Sequence, residues 1–357
     1  MDSRTNPWSF FTKTTIKEGK NYKADWSISG GILSAIAASS LGHAGDITIG
    51  KLLGKGTSFT VSSCTRNDPG WEGTAVAIKI PKIRQKEDAQ HVARTIHTEL
   101  QLMAYDPLRE DANIVQIMGY RWFPFELYPS IMVAAAHLGT LDEYLRTRGT
   151  FVGDDWNECH RLCLDVALAL TSVHAEGITH GDVKPQNVLV YYSAGPNDPE
   201  SIITAQLSDF SHSNFDAGQD DGPSLGTPLF SAPEVLARFY DTSDTSTATK
   251  EDLPKSDVWS FGLLAWCLVR CQASYFQDDW LVPPYDRPPR RVPFLQSRQP
   301  SFLQSLAAGM MADSEKWIDM PPNLRKAFET LLQGCLESVP RKRFAMSECS
   351  KLLDLDR

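Results

Sequence analysis

Three residues at fixed offsets carry the most suggestive chemistry in the chain. Asp182, Lys184 and Asn187 stand within Thr179 to Val190, T-H-G-D-V-K-P-Q-N-V-L-V. A carboxylate, an ammonium and an amide so spaced on a loop suit phosphoryl transfer. The Asp can accept a hydroxyl proton, the Asn can hold a metal ion, and the Lys can neutralise charge on the moving group. The plain structural reading is a polar loop between a helix and a strand, with His180 a hydrogen-bonded core residue.

Such a loop needs elements to hold it, and the flanking sequence supplies them. Over 157–174 Cys159, Leu162, Cys163, Val166, Leu170 and Val173 follow the 3.6-residue period, which predicts an amphipathic helix. Gly177 ends it, and the apolar Val188-Leu189-Val190 begins a strand. A second charged group sits in an apolar setting upstream. Val76-Ala77-Ile78-Lys79 reads as a core strand ending on a lone Lys. Burying that ammonium costs several kcal/mol unless it is paired. A helix expected over about 87–104 places Ile96, Glu99, Leu100 and Met103 on one face, and Glu99 is the only carboxylate there. Before Lys79, Gly54-Lys55-Gly56 lies between β-prone residues, where glycines let a backbone approach a phosphate closely. After the central loop, the short strand Ala205-Gln206-Leu207 leads to Ser208-Asp209-Phe210-Ser211.

Composition sets outer limits. At 357 residues the chain suits a two-lobed enzyme with a short extension, and a hydrophobic fraction of 42% permits a sizeable core. A net charge of −9 argues against a nucleic-acid binder that neutralises phosphates. The seven cysteines show no zinc-ribbon spacing; Cys159/Cys163 and Cys267/Cys271, each four apart in helical-looking runs, are expected to pack as buried thiols in a reducing, intracellular compartment, cytoplasmic or nuclear. The apolar runs are shorter than the ~20 residues of a membrane span, and no secretory leader is evident. Residues 1–45 include Trp8, Phe10, Phe11, Tyr22 and Trp26. That is too aromatic for a simple disordered tail, and partial order against a neighbouring lobe is expected.

Taken in order, these stretches resemble the motifs of eukaryotic protein kinases over roughly residues 46–354. Gly54 to Val61 is similar to the glycine-rich loop, with Phe59 at the third glycine. Val76 to Lys79 resembles the strand carrying the ATP lysine. Thr179 to Asn187 resembles the catalytic loop, H-R-D-x-K-x-x-N, with Gly181 where that family usually has Arg. Asp209-Phe210-Ser211 resembles D-F-G, with Ser for Gly. Gly226-Thr227-Pro228-Leu229-Phe230-Ser231-Ala232-Pro233-Glu234 resembles the close of an activation segment. Ser256 to Gly262, where Ser256 or Asp257 could cap a helix, resembles the motif whose Asp anchors the catalytic loop. Cys335 to Phe344 resembles the segment whose Arg, here Arg343, pairs with the Glu at position 234.

The resemblance implies an α+β fold: a small β-rich lobe with one helix over 46–136, and a larger helical lobe over 137–354, with residues 1–45 as an extension. It implies an ATP-dependent transferase acting on protein substrates with Mg²⁺, of the Ser/Thr branch because Lys184-Pro185-Gln186-Asn187 stands after Asp182. It assigns Asp182 to the acceptor hydroxyl, Lys184 to the γ-phosphoryl group, Lys79 to the other phosphates and Glu99 to Lys79. Leu53, Gly54, Gly56, Val61, Ala77 and Leu189 would line the nucleotide site, and Asn187 and Asp209 would hold the metal. Two alternatives remain open. A nucleotide-binding scaffold is suggested by Phe59, Gly181 and Ser211; a small-molecule phosphotransferase, by H-G-D. From Asp209 to Glu234 there is no Lys or Arg and there are five acidic residues. A phosphate at Ser211, Ser213, Ser224 or Thr227 would therefore add negative charge with no local cation, so activity independent of phosphorylation there is expected.

Overall fold

The structure is a computed structural model that describes residues 31–33, 36, 42–56, 58–67, 75–83, 86–103, 105–123, 126–153, 155–215, 225–240, 252–281, 291–299, 301–313 and 317–355. The aromatic residues Trp8 to Trp26, Ser224, most of the polar stretch from Asp241 to Asp252 and part of the proline-rich 283–300 lie outside these.

One lobe is built on a five-stranded antiparallel sheet. Strands β1 (Ile47–Lys55), β2 (Phe59–Arg66), β3 (Val76–Pro81), β4 (Ile117–Arg121) and β5 (Ser130–Ala134) lie in the order β1-β2-β3-β5-β4. Register decides which side chains meet. Val61 pairs with Lys79 and Lys79 with Ile131; Ser63 pairs with Ala77 and Ala77 with Val133. Cross-strand partners share a sheet face and positions two apart repeat it. Val61, Ala77 and Lys79 therefore line one face. Helix α1 (Lys86–Met103) packs its buried Val92, Ala93, Ile96, Leu100 and Met103 into the same core as Ala77, Ile131 and Val133. Its alternation of apolar and polar residues is the amphipathic pattern expected from the sequence, shifted by one residue at each end.

The other lobe is helical. It contains α2 (Leu141–Arg148), α3 (Asp155–Ala175), α4 (Pro233–Tyr240), α5 (Leu253–Val269), α6 (Arg291–Gln296), α7 (Phe302–Ala312), α8 (Pro322–Cys335) and α9 (Met346–Leu353). Two-stranded ladders β6–β9 (Ile178–Thr179 with Asn214–Phe215) and β7–β8 (Val188–Tyr192 with Ile203–Leu207) carry the loops between them. Helix α2 starts on a capping box: Thr140 accepts from the Glu143 amide at 3.2 Å, and the Glu143 carboxylate accepts from the Thr140 amide at 2.9 Å. Helix α5 is apolar on all sides and is buried continuously from Ser256 to Val269, the pattern of a helix at the centre of its lobe.

Two expectations are corrected here. Ser256 and Asp257 do not cap α5, which begins earlier, at Leu253. Ser256 instead donates to the Leu253 carbonyl at 2.7 Å, and Asp257 serves the central loop. Cys271 does not share a helix face with Cys267. Helix α5 ends at Val269, and Cys271 has φ +50° and is partly exposed. The other six cysteines are buried free thiols.

Candidate active site

The loop from His180 to Asn187 is held from below by a carboxylate on α5. Asp257 Oδ2 accepts the His180 amide at 2.7 Å, and Oδ1 accepts the Gly181 amide at 2.9 Å. His174 Nε2 lies 2.9 Å from Asp257 Oδ2. A buried carboxylate that collects this many hydrogen bonds fixes a backbone turn strongly. His180 is fully buried, as the structural reading of that residue expected, with Nε2 3.0 Å from the Ser208 carbonyl oxygen. Burial holds its imidazole below the usual histidine range.

Gly181 is explained by its backbone. Its φ is +81°, and a Cβ there would lie 2.5 Å from the carbonyl oxygen of His212. A side chain is excluded both by conformation and by space. The departure from Arg is thus matched by the packing of the 210–212 turn against the loop.

Asp182 is the hub of the site. Its Oδ2 accepts from Lys184 Nζ at 2.6 Å and from Asn187 Nδ2 at 3.0 Å; its Oδ1 accepts the Thr227 amide at 2.7 Å. Lys184 Nζ also donates to Thr227 Oγ1 at 2.6 Å. Burial alone would raise this carboxyl, but the Lys184 ammonium and its hydrogen bond outweigh burial and hold it below the ordinary carboxylate range. Asp182 is therefore ionised at neutral pH. The Thr227 contacts were not foreseen from spacing, because they join residues 45 positions apart. Gly226 permits them: a Cβ on it would lie 2.7 Å from Asp182 Oδ1.

Across the sheet face, Lys79 forms an ion pair with Glu99 on α1 and lies 3.9 Å from Asp209 Oδ1. Lys79 and Glu99 are 12% and 1% exposed, so the lone Lys of β3 has the partner its burial demands. Burial would lower the Lys79 ammonium, but Glu99 and Asp209 together keep it raised and charged. The Phe59 ring adds to this, its centroid 4.8 Å from Lys79 Nζ, a cation–π contact. Phe59 is buried and opens β2. Its ring is turned into the core and does not stand at an exposed tip. Gly54 and Gly56 precede it with open space around them; at Gly56 the nearest atom to an added Cβ would be the Phe59 carbonyl oxygen, 3.7 Å away. Leu53 is 45% exposed on β1. Leu189 on β7 bridges to Thr140 and packs partly buried on the core.

Asp209 has φ +64° and ψ 72°, a left-handed conformation that L residues rarely adopt outside functional turns. The strained position is the Asp; Ser211 lies in the following 3-10 turn, Phe210–His212, which explains why Ser is tolerated there. The Asp209 side chain is 38% exposed, yet its Oδ1 is buried and accepts no hydrogen bond. Such an atom is unusual in a folded protein, and a cation or its ligands would satisfy it. Among the described residues no cluster of three or more His, Cys, Asp or Glu could cage a metal. Mg²⁺ is commonly held by one or two carboxylates together with substrate phosphates, so the donor set of Asp209 and Asn187 fits an ion that arrives with a nucleotide.

Far below, Arg343 and Glu234 form the expected bidentate pair, with Nη1–Oε1 at 2.6 Å and Nη2–Oε2 at 2.8 Å. It ties the start of α4 to the segment before α9. Ser260 of α5 donates to the Phe230 carbonyl at 2.8 Å, which ties the same region to the central helix.

Comparison with known proteins agrees with this architecture. The family described as Protein kinase domain matches residues 47–352, and the chain belongs to that family. Among curated proteins it is similar to calcium-dependent protein kinase 6 of Oryza sativa subsp. japonica, 27% identical over 296 residues, covering 83% of this chain and 45% of the relative. It is also similar to calcium-dependent protein kinase 4 of Solanum tuberosum, 27% identical over 302 residues, or 84% and 45%. Calcium-dependent protein kinase 11 of Arabidopsis thaliana is 26% identical over 301 residues, or 84% and 50%. The chain spans about half the length of the curated relatives it matches. Among the described residues no helix is long and apolar enough to cross a membrane.

Proposed function

We propose that the chain is an active protein kinase that transfers the γ-phosphoryl group of ATP to Ser and Thr hydroxyls of protein substrates. The observation that carries this reading is the Asp182 cluster: an ionised carboxylate held by Lys184, Asn187 and the Thr227 amide within one hydrogen-bond network. Asp182 orients the acceptor hydroxyl and takes its proton as the oxygen attacks phosphorus. Lys184 faces the charge that develops on the transferred group. Lys79, oriented by Glu99, binds the non-transferred phosphates. Val61, Ala77 and Leu189, with Leu53, Gly54 and Gly56, enclose the nucleotide. Asn187 and Asp209 would hold Mg²⁺, which when bound neutralises phosphate charge.

The end of the activation segment bears on the choice of acceptor. Thr227 lies directly against Asp182 and Lys184, so a peptide resting on that segment brings its backbone close to the carboxylate. The three departures that suggested a scaffold each have a local accommodation: Gly181 under His212, Phe59 beneath Lys79, and Ser211 in a 3-10 turn. They leave Asp182, Lys184, Lys79 and Glu99 in place for transfer. The test is transfer from labelled Mg-ATP to a basic protein, with analysis of the phosphorylated residue. Phosphoserine or phosphothreonine is expected. Transfer only to a small alcohol would overturn the protein-substrate reading, and ATP binding with no transfer to any acceptor would favour the scaffold.

A further inference from the structure

Part of the chain before the kinase-domain match belongs to the same core. Residues 31–33 and 36 are helical, and Ile32 and Ile36, four apart and so on one helix face, are buried. Both join the core cluster that contains Val92, Ala93, Ile96 and Leu100 of α1. Gly31 lies directly against α1: a Cβ on it would sit 2.7 Å from His97 Nε2. A few residues on, the chain is tied to the outer edge of β4. Ala44 donates to the Tyr120 carbonyl at 2.9 Å, and the Tyr120 amide to the Gly42 carbonyl at 3.3 Å. Arg121 Nη1 donates to the Ala44 carbonyl at 2.9 Å, and the His43 and Tyr120 rings meet edge to face at 5.3 Å.

Helix α1 is buried over a wide arc, part of it against the Phe210–His212 turn. Its buried positions include Ala89, Val92, Ala93, Thr95, Ile96, Glu99, Leu100, Leu102 and Met103. At about 100° per residue they occupy about half the circumference, wider than the stripe of about 100° that a helix needs to lie on one core face. His97 neighbours Ala93 and Leu100 on the helix surface at four- and three-residue spacing, so Gly31 is seated at that extra flank.

We propose that Ile32 and Ile36 are positioning residues that act through α1, clasping it so that Glu99 stays on Lys79. Glu99 reaches Lys79 only while α1 holds its place, and α1 is packed against the sheet, the Phe210–His212 turn and, at His97, this segment. The activity arm of the test rests on the kinase reading above; the exchange arm does not.

The experiment uses the full chain carrying Ile32→Asp and Ile36→Asp, beside Cys64→Ala. Cys64 lies in a separate small cluster with Ala44, Val76, Ile78 and Met132. Amide hydrogen exchange across 96–100 is expected to quicken more than tenfold in the double variant, with β2 and β3 little changed. Phosphate transfer is expected to fall more than tenfold, with KM for ATP raised. Cys64→Ala, a core truncation away from α1, should keep transfer within about twofold. Unchanged exchange in α1, or a loss of transfer no larger than that of Cys64→Ala, would overturn the proposal. If the double variant fails to fold, Ile36→Ala is judged by the same two readouts. A native chain that transfers no phosphate would defeat the functional reading while the exchange result still decides the clasp.

Discussion

The floor and the roof of the cleft are held by different physics. On the floor, side chains do the holding: Asp257 grips the backbone of the central loop, Asp182 gathers Lys184, Asn187 and Thr227, and Arg343 locks Glu234. On the roof, strand register does it. β1 is largely exposed, Gly54 has open space about it, and the buried ion pair of Lys79 with Glu99 depends on where helix α1 sits. The floor's hydrogen bonds are made largely within the chain, with Asp209 Oδ1 the exception, whereas the roof presents backbone and one ammonium. Preorganised charge belongs where the proton and the phosphoryl group move, and adaptable backbone belongs where a large nucleotide enters and leaves.

Breaking the floor should therefore cost folding, and breaking the roof should cost binding. The largest effect is expected from Arg343→Ala. The Arg343 side chain is fully buried, and its loss leaves Glu234 and three backbone carbonyls without their donor. Destabilisation of about 3–5 kcal/mol is expected, read as a shift in urea midpoint at constant m. Next comes Gly181→Ala. The φ of +81° and the nearby His212 carbonyl imply a cost of about 1–3 kcal/mol, and Gly181→Arg should fare no better. Restored or improved activity in the Arg variant would show that the loop is less constrained than described. The smallest effect belongs to the roof. Phe59→Leu keeps most of the buried apolar volume while removing a cation–π contact worth about 0.5–2 kcal/mol, and should appear chiefly as a raised KM for ATP, with kcat little altered.

Much of the fold and the site is legible in the sequence. The 3.6-residue period over 157–174 and the lone Lys at the end of an apolar strand are signals of single elements, and each element formed as expected. Lys79 with Glu99 could be inferred because burial requires a counter-charge and α1 offers one candidate on its apolar face. Glu234 with Arg343 needed the resemblance, since nothing local links residues 109 apart. What stayed hidden depends on tertiary approach. Nothing in the spacing says that Thr227 meets Asp182, that Phe59 turns its ring under Lys79, or that the strain of the 208–212 turn falls on Asp209 and not on Ser211. The anchoring role of Asp257 needed the resemblance too, because a carboxylate near a helix start looks the same whether it serves its own helix or a loop above it. Ile32 and Ile36 carry no pattern beyond two apolar residues four apart.

The central claim is that the Asp182 carboxylate performs the proton chemistry on a floor built in advance. The most direct measurement is single-turnover phosphate transfer from Mg-ATP by the native chain and by Asp182→Asn, with nucleotide affinity measured on both. The account expects transfer by the native chain, a fall of about 10²–10⁴-fold in the variant, and nucleotide affinity within a few-fold, since Lys79, Glu99 and the glycine loop are untouched. Transfer that survives in Asp182→Asn at a near-native rate, with ATP bound equally well, would contradict it.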